Sequence, residues 1–115
     1  MRILEYSPNV REKMITLKNW LTAHFDEATA KKVLTGITSD ANNLKAHPQI
    51  GTNISELYEM DTDYWYLFTN QHYLIYRISP KKIVIIQMFH EREDFMMTLF
   101  GMSGRSQESI DYWGE

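Results

Sequence analysis

Tyr64-Trp65-Tyr66-Leu67-Phe68-Thr69, then Asn70-Gln71, then His72-Tyr73-Leu74-Ile75-Tyr76-Arg77-Ile78-Ser79 and, past Pro80-Lys81-Lys82, Ile83-Val84-Ile85-Ile86-Gln87-Met88-Phe89-His90 form the stretch that decides the fold. Each run is rich in aromatic and β-branched side chains, which suit a pleated, half-buried surface. The gaps are compact turn signals, Asn70-Gln71 of two residues and Ser79-Pro80-Lys81-Lys82 of four with a proline, so the runs predict a three-stranded antiparallel meander. In the third run apolar residues fill both alternating sets, Val84, Ile86 and Met88 against Ile83, Ile85 and Phe89. A strand of that kind is covered on both faces, so Ile83 to His90 is expected at the centre of the sheet rather than at an edge.

The chain upstream changes period. Val10, Met14, Leu17 and Leu21 recur at spacings of four, three and four, which places them on one face of a helix running to about His24. Ser7-Pro8 marks its start, serine as a cap and proline in the first turn. Asp26 offers a second cap, and Ala30, Val33, Leu34, Ile37, Ala41 and Leu44 repeat the helical period. Two helices joined at His24-Phe25-Asp26 therefore predict an antiparallel hairpin. Gly36 weakens the second helix by roughly 1 kcal/mol relative to alanine unless close packing requires it. His47-Pro48-Gln49-Ile50-Gly51 ends the helical half, because a residue before proline leaves the helical region and glycine suits a turn.

Downstream, Glu91 to Phe100 reads as a short helical end with Phe95, Met96, Leu99 and Phe100 apolar, and residues 101–115 gain Gly, Ser and charge as a tail that Tyr112 and Trp113 would pin. The fold class is thus α+β: an N-terminal strand at Arg2 to Tyr6, a helix hairpin, the meander and a short C-terminal helix, in one domain over 1–100 with a tail over 101–115. A chain of 115 residues has room for a single core without a metal or disulfide staple.

Composition narrows the function. The chain has no cysteine, which removes thiol nucleophiles, disulfides and cysteine-based zinc sites together and suits a reducing compartment. The N-terminus Met1-Arg2-Ile3-Leu4-Glu5-Tyr6 lacks an export signal, and no apolar run approaches the roughly 20 residues of a membrane span, so a cytoplasmic protein is expected. Residues 1–50 carry seven Lys/Arg against five Asp/Glu, and residues 51–115 five against ten, for a total of −3. That balance argues against a broad nucleic-acid surface, where phosphate contacts demand a basic surplus. His24, His47 and His72 lack metal-ligand spacing, and no Ser/His/Asp triad, phosphate loop or nucleotide fingerprint occurs, so no metal or cofactor is expected.

The run Gln71 to Ile78 with its Tyr73 and Tyr76-Arg77, followed by Ile83 to Phe95 with His90-Glu91-Arg92-Glu93-Asp94, resembles the signature half of the RelE/ParE superfamily, toxins of type II toxin–antitoxin and plasmid stabilisation systems. Tyr6-Ser7-Pro8 and His47-Pro48-Gln49-Ile50-Gly51 resemble the family's "YSP" and "hPxxG" elements. The resemblance implies a growth-inhibiting toxin neutralised by an antitoxin protein. One branch, RelE-like and YoeB-like, cuts ribosome-bound mRNA with a general base and cationic groups. The other, ParE-like, inhibits DNA gyrase by binding.

By that resemblance His90 aligns with a catalytic histidine of YoeB-like nucleases and Glu56 with their carboxylate base. The plainer readings are a strand-end histidine held locally and a solvated glutamate. Tyr73 stands where those nucleases place an arginine, as ParE-like proteins commonly do, and one phenol cannot replace the guanidinium's donor fork. The sequence therefore lies closer to ParE, with a ribosome-dependent endonuclease and a decayed, partner-binding member as alternatives. Arg77, Arg92, Lys81, Lys82 and Tyr73 are candidates for target or phosphate contact. For the arginines the rival reading is an ion pair with Glu91, Glu93 or Asp94; for the lysines it is a solvated turn. Phe95, Met96, Leu99 and Phe100 are candidates for an antitoxin groove or, at helical spacing, for core.

Overall fold

The computed structural model describes residues 1–101; the expectation for the tail beyond Gly101 lies outside them. Strand β1 (Ile3–Tyr6) leads into helix α1 (Pro8–His24) and helix α2 (Glu27–Asn42), which continues as a 3-10 turn over Asn43–Lys45. A second such turn at Pro48–Ile50 precedes a two-residue strand β2 (Thr52–Asn53) and helix α3 (Ile54–Tyr58). Strands β3 (Tyr64–Thr69), β4 (His72–Ile78) and β5 (Lys82–His90) and helix α4 (Phe95–Phe100) follow. Among the described residues no helix is long and apolar enough to cross a membrane.

The meander forms as its composition dictates. Asn70 and Gln71, with φ of 47° and 66°, make the β3–β4 turn, both central residues left-handed as a tight hairpin needs. The sheet order is β1-β5-β4-β3-β2, so β5 is interior as expected but β4 holds the middle position. The sheet is also mixed, because β1 pairs with β5 in parallel, Leu4 opposite Ile83 and Tyr6 opposite Ile85. Nothing in a four-residue strand announces its partner. Strand β2 and helix α3, both short, were not expected either.

Strict alternation along β5 fails at one point. The register passes from Tyr76↔Ile85 to Ile75↔Gln87, so Ile86 is the extra residue of a β-bulge. Ile83 and Ile85 face the helix hairpin before it, and Met88 faces the same way after it, three residues on rather than two. Ile86 and Phe89 face the opposite layer. The expected grouping of Ile86 with Met88 is therefore corrected. The bulged carbonyl is not left bare: Ser7 Oγ and Asn9 Nδ2 each lie 3.1 Å from the Ile86 oxygen. Ser7 occupies the N-cap position of α1 but its side chain makes no cap bond, serving the bulge instead. Asp26 caps α2 as its type predicts, accepting the Thr29 N–H at 2.6 Å, and those bonds hold its carboxyl below the usual value.

The hairpin buries Val10, Ile37, Ala41 and Leu44 against Leu74, Tyr76, Ile83, Ile85 and Met88. On the other face Ile54 of α3 and Phe95 and Met96 of α4 close over Ile75 and Phe89. Gly51, expected to serve a turn, has an ordinary φ of −80°. Its need is space: a Cβ there would collide with the Tyr66 backbone oxygen and the Tyr76 hydroxyl. Tyr76, fully buried, donates that hydroxyl to the Pro48 carbonyl at 2.7 Å. Burial pushes its phenol up to about 12, against a smaller pull from the Gly51 backbone, so it stays a donor at any working pH.

Candidate functional site

Two imidazoles meet at one end of the sheet. The β4–β5 register sets His72 opposite His90, with ring centroids 5.2 Å apart and planes at 88°. The turn after β5 is built around the second ring. The His90 N–H donates to Glu93 Oε1 at 2.9 Å, and the Arg92 N–H donates to His90 Nδ1 at 3.2 Å. The Glu91 N–H donates to the Gln71 carbonyl at 2.8 Å, tying this turn to the β3–β4 hairpin. Arg92 is thereby held at the tip with its side chain exposed, and among the described residues its guanidinium forms no ion pair.

On the face away from the hairpin, Tyr73 is enclosed by aromatic rings, with centroids at 5.4 Å from Tyr66 and 4.9 Å from both Phe68 and Phe95. Asp94 caps α4 by accepting the Met97 N–H at 3.1 Å, and Phe95 and Met96 of its first turn are buried. Leu99 and Phe100 are half-buried, so of the four residues considered for a partner groove these two offer surface. Tyr58, Tyr73 and the Glu91–Met96 turn line a cleft of about 250 Å³.

The remaining candidates lie elsewhere. Glu56 is exposed on α3, whose start Asn53 caps by accepting the Glu56 N–H at 3.3 Å, and it borders a cleft of about 610 Å³ with Gln49 and Trp65 that His90 does not reach. Arg77 stands at the other end of β4, five residues from His72 or about 17 Å at strand rise. There it donates twice to Asp63 Oδ2, at 2.9 and 2.8 Å, an exposed pair with an acid other than the three considered. Lys82 pairs with Glu5 at 3.4 Å beside it, and Lys81 is solvated in the same turn. The candidates thus divide into two ends of one sheet, His90, Arg92 and Tyr73 at one, Arg77, Lys81 and Lys82 at the other.

Sequence reasoning passed over His72, the partner of His90, and Lys13 and Trp20 of α1. These three border a groove of about 480 Å³ between α1 and the histidine end of the sheet, floored by Leu17 and Met88. Lys13 Nζ is fixed there, donating to the Met88 carbonyl at 2.8 Å and lying 4.7 Å from the Phe89 ring centroid. His72 is 8 % exposed, and burial lowers its pKa below 6.5, outweighing the bond to the Asn70 carbonyl that raises it. The sign follows from linkage: below pH 6.5 the unfolded chain takes a proton that the folded chain refuses. Stability from His72 is complete above pH 6.5 and falls as the pH drops toward the folded value. Urea midpoints should decline from pH 7.5 to 5.5, and His72→Gln should flatten that slope; an unchanged slope would exclude His72 as its source.

Two comparisons place the chain. Residues 4–95 match the model of the "ParE toxin of type II toxin-antitoxin system, parDE". A solved chain of a chromosomal ParDE TA system from P. aeruginosa superposes with a TM-score of 0.66 at 15% identity, covering 78% of this chain and 96% of that one. No curated protein sequence matches. The match across the strand, hairpin and meander establishes that this chain belongs to the ParE toxin family of type II toxin–antitoxin systems.

Proposed function

We propose that this protein arrests growth by binding a target, DNA gyrase by the family's pattern, and that a cognate antitoxin neutralises it. What supports binding over RNA cleavage is the aromatic enclosure of Tyr73. Cleavage by 2′-hydroxyl attack needs a base, an acid and a cation converging on one phosphate. Here Tyr73 packs among Tyr66, Phe68 and Phe95 where the cation would stand. Glu56 faces a separate cleft. Arg77 is engaged by Asp63 at the far end of β4. The exposed Arg92 then serves as a contact for an acidic patch on the target rather than as a phosphorane clamp.

Expression of the chain alone should stop bacterial growth, with DNA replication failing first, and co-expression of the adjacent small protein should restore it. His90→Ala and Glu56→Ala should remain toxic, whereas Arg92→Glu should lose toxicity at equal soluble level. Robust growth of cells making abundant soluble wild-type protein would remove the toxin reading.

A further inference from the structure

The turn that presents Arg92 is closed by an imidazole. The Glu93 N–H donates to the His90 carbonyl at 2.9 Å, the His90 N–H donates to Glu93 Oε1 at 2.9 Å, and between them the Arg92 N–H donates to His90 Nδ1 at 3.2 Å. A side-chain acceptor bonded to the N–H two residues on is the arrangement of an Asx turn, which Asn or Asp ordinarily makes with a side-chain oxygen. Such an oxygen keeps a lone pair whether or not the group is ionised. Histidine differs: Nδ1 accepts only while it carries no proton, and histidine is the side chain whose charge ordinarily changes between pH 5 and 8.

His72, paired with His90 across the strands, carries its proton the other way. Its Nδ1 lies 2.8 Å from the Asn70 carbonyl oxygen, which only accepts, so Nδ1 already holds a proton and a second one enters at Nε2, leaving that bond in place. In the neutral His90 ring the proton sits on Nε2, so the second enters at Nδ1 and sets an N–H against the Arg92 N–H. Protonation therefore breaks a backbone bond at one histidine and spares it at the other. The charged and titratable groups around His90 are His72 of β4, Lys13 of α1, and Glu91, Arg92 and Glu93 of its own turn.

We infer that His90 is a proton-operated latch on the turn of Glu91, Arg92 and Glu93: the neutral ring holds the Arg92 peptide in place, the imidazolium releases it, and the protein loses grip on its target as the pH falls. The loss of grip rests on the reading of Arg92 as a target contact given above. The direction is fixed by the bond, which exists only for the unprotonated ring and so is complete at high pH and lost at low pH. The release is local, because the Glu93 N–H to His90 carbonyl and Glu91 N–H to Gln71 carbonyl bonds do not involve the ring.

Amide hydrogen exchange and imidazole 15N shifts of the labelled chain at pH 7.5 and 5.5 decide it, with the amides of β4 and β5 reporting any global loosening. In the wild type the Arg92 amide should lose protection about fivefold, corrected for the intrinsic rate, as His90 Nδ1 gains its proton; one net hydrogen bond is of that size. His90→Asn, which keeps an acceptor for the Arg92 N–H and does not titrate, should protect it equally at both pH values. His90→Phe, which has no acceptor, should show the released state already at pH 7.5. Immobilised DNA gyrase should hold the wild type about fivefold more weakly at pH 5.5 than it holds His90→Asn, a loss small enough to leave an overproduced His90→Ala chain toxic. An Arg92 amide equally protected at both pH values, a Nδ1 still unprotonated at pH 5.5, or a His90→Asn chain that responds as the wild type does would each overturn the latch. Equal retention of wild type and His90→Asn at pH 5.5, with the amide responding, would overturn its effect on the target. No retention of the wild type at pH 7.5 would overturn the gyrase reading, and the amide alone would then decide the latch.

Discussion

Truncating Ile85 to alanine is expected to lower the unfolding free energy by about 2 to 5 kcal/mol, the usual cost of a large-to-small change in a closed core. Ile85 is fully buried, paired with Tyr6 of β1 on one side and Tyr76 of β4 on the other, under the helix hairpin. Ile86 makes the sharper comparison. It is the bulged residue, half-buried on the opposite face, so Ile86→Ala should cost about 1 kcal/mol. The midpoint of urea unfolding measures both, provided the slope is unchanged. Equal losses, or a larger one at Ile86, would move the bulge and with it the pairing of His72 with His90.

Gly51→Ala should be nearly as damaging, although it adds only a methyl group. That methyl meets the backbone oxygen of Tyr66 in β3, which cannot move without loosening β2, and the Tyr76 hydroxyl, which is held by the Pro48 carbonyl. Overpacking costs typically about 1 to 3 kcal/mol and an orphaned buried hydroxyl a similar amount, so the loss should reach roughly 2 to 6 kcal/mol. Tyr76→Phe in the same chain should recover part of it, because it removes one of the two colliding atoms. A stable Gly51→Ala protein would show that the Pro48–Gly51 segment packs less tightly on Tyr76 than described.

The comparison of Ile85 with Ile86 also shows how far the sequence could be read. The meander, the helix hairpin and the Asp26 cap follow from local chemistry: β-branched runs, a 3.6-residue period and a short acid before a helix. The bulge does not. Counting outward from the Ile78↔Ile83 turn pair without it would set His72 opposite Phe89, and the histidine pair would never form. What permits the bulge is remote, Ser7 and Asn9 reaching its carbonyl across 79 and 77 residues. The site was legible in the same measure. His90, Arg92 and Tyr73 were named because the family motif carries them. The grouping of Arg77, Lys81 and Lys82 at the far end follows from strand length, and only the Asp63 pair, from a loop with no periodicity, shows what occupies Arg77. His72 and Trp20 stayed unmarked because a lone histidine at a strand start and an aromatic on a helix carry no signal until the register and the hairpin bring them to one groove.

The most direct test of binding against cleavage is to map the 5′ ends of a reporter mRNA in a translating extract given the purified chain. Loss of a charge-stabilising donor lowers such rates by about 100- to 1,000-fold. With Tyr73 in place of that donor, the message should stay full length while the same protein still binds its antitoxin. Codon-positioned cuts that disappear with His90→Ala would contradict the account and make the chain a ribosome-dependent nuclease.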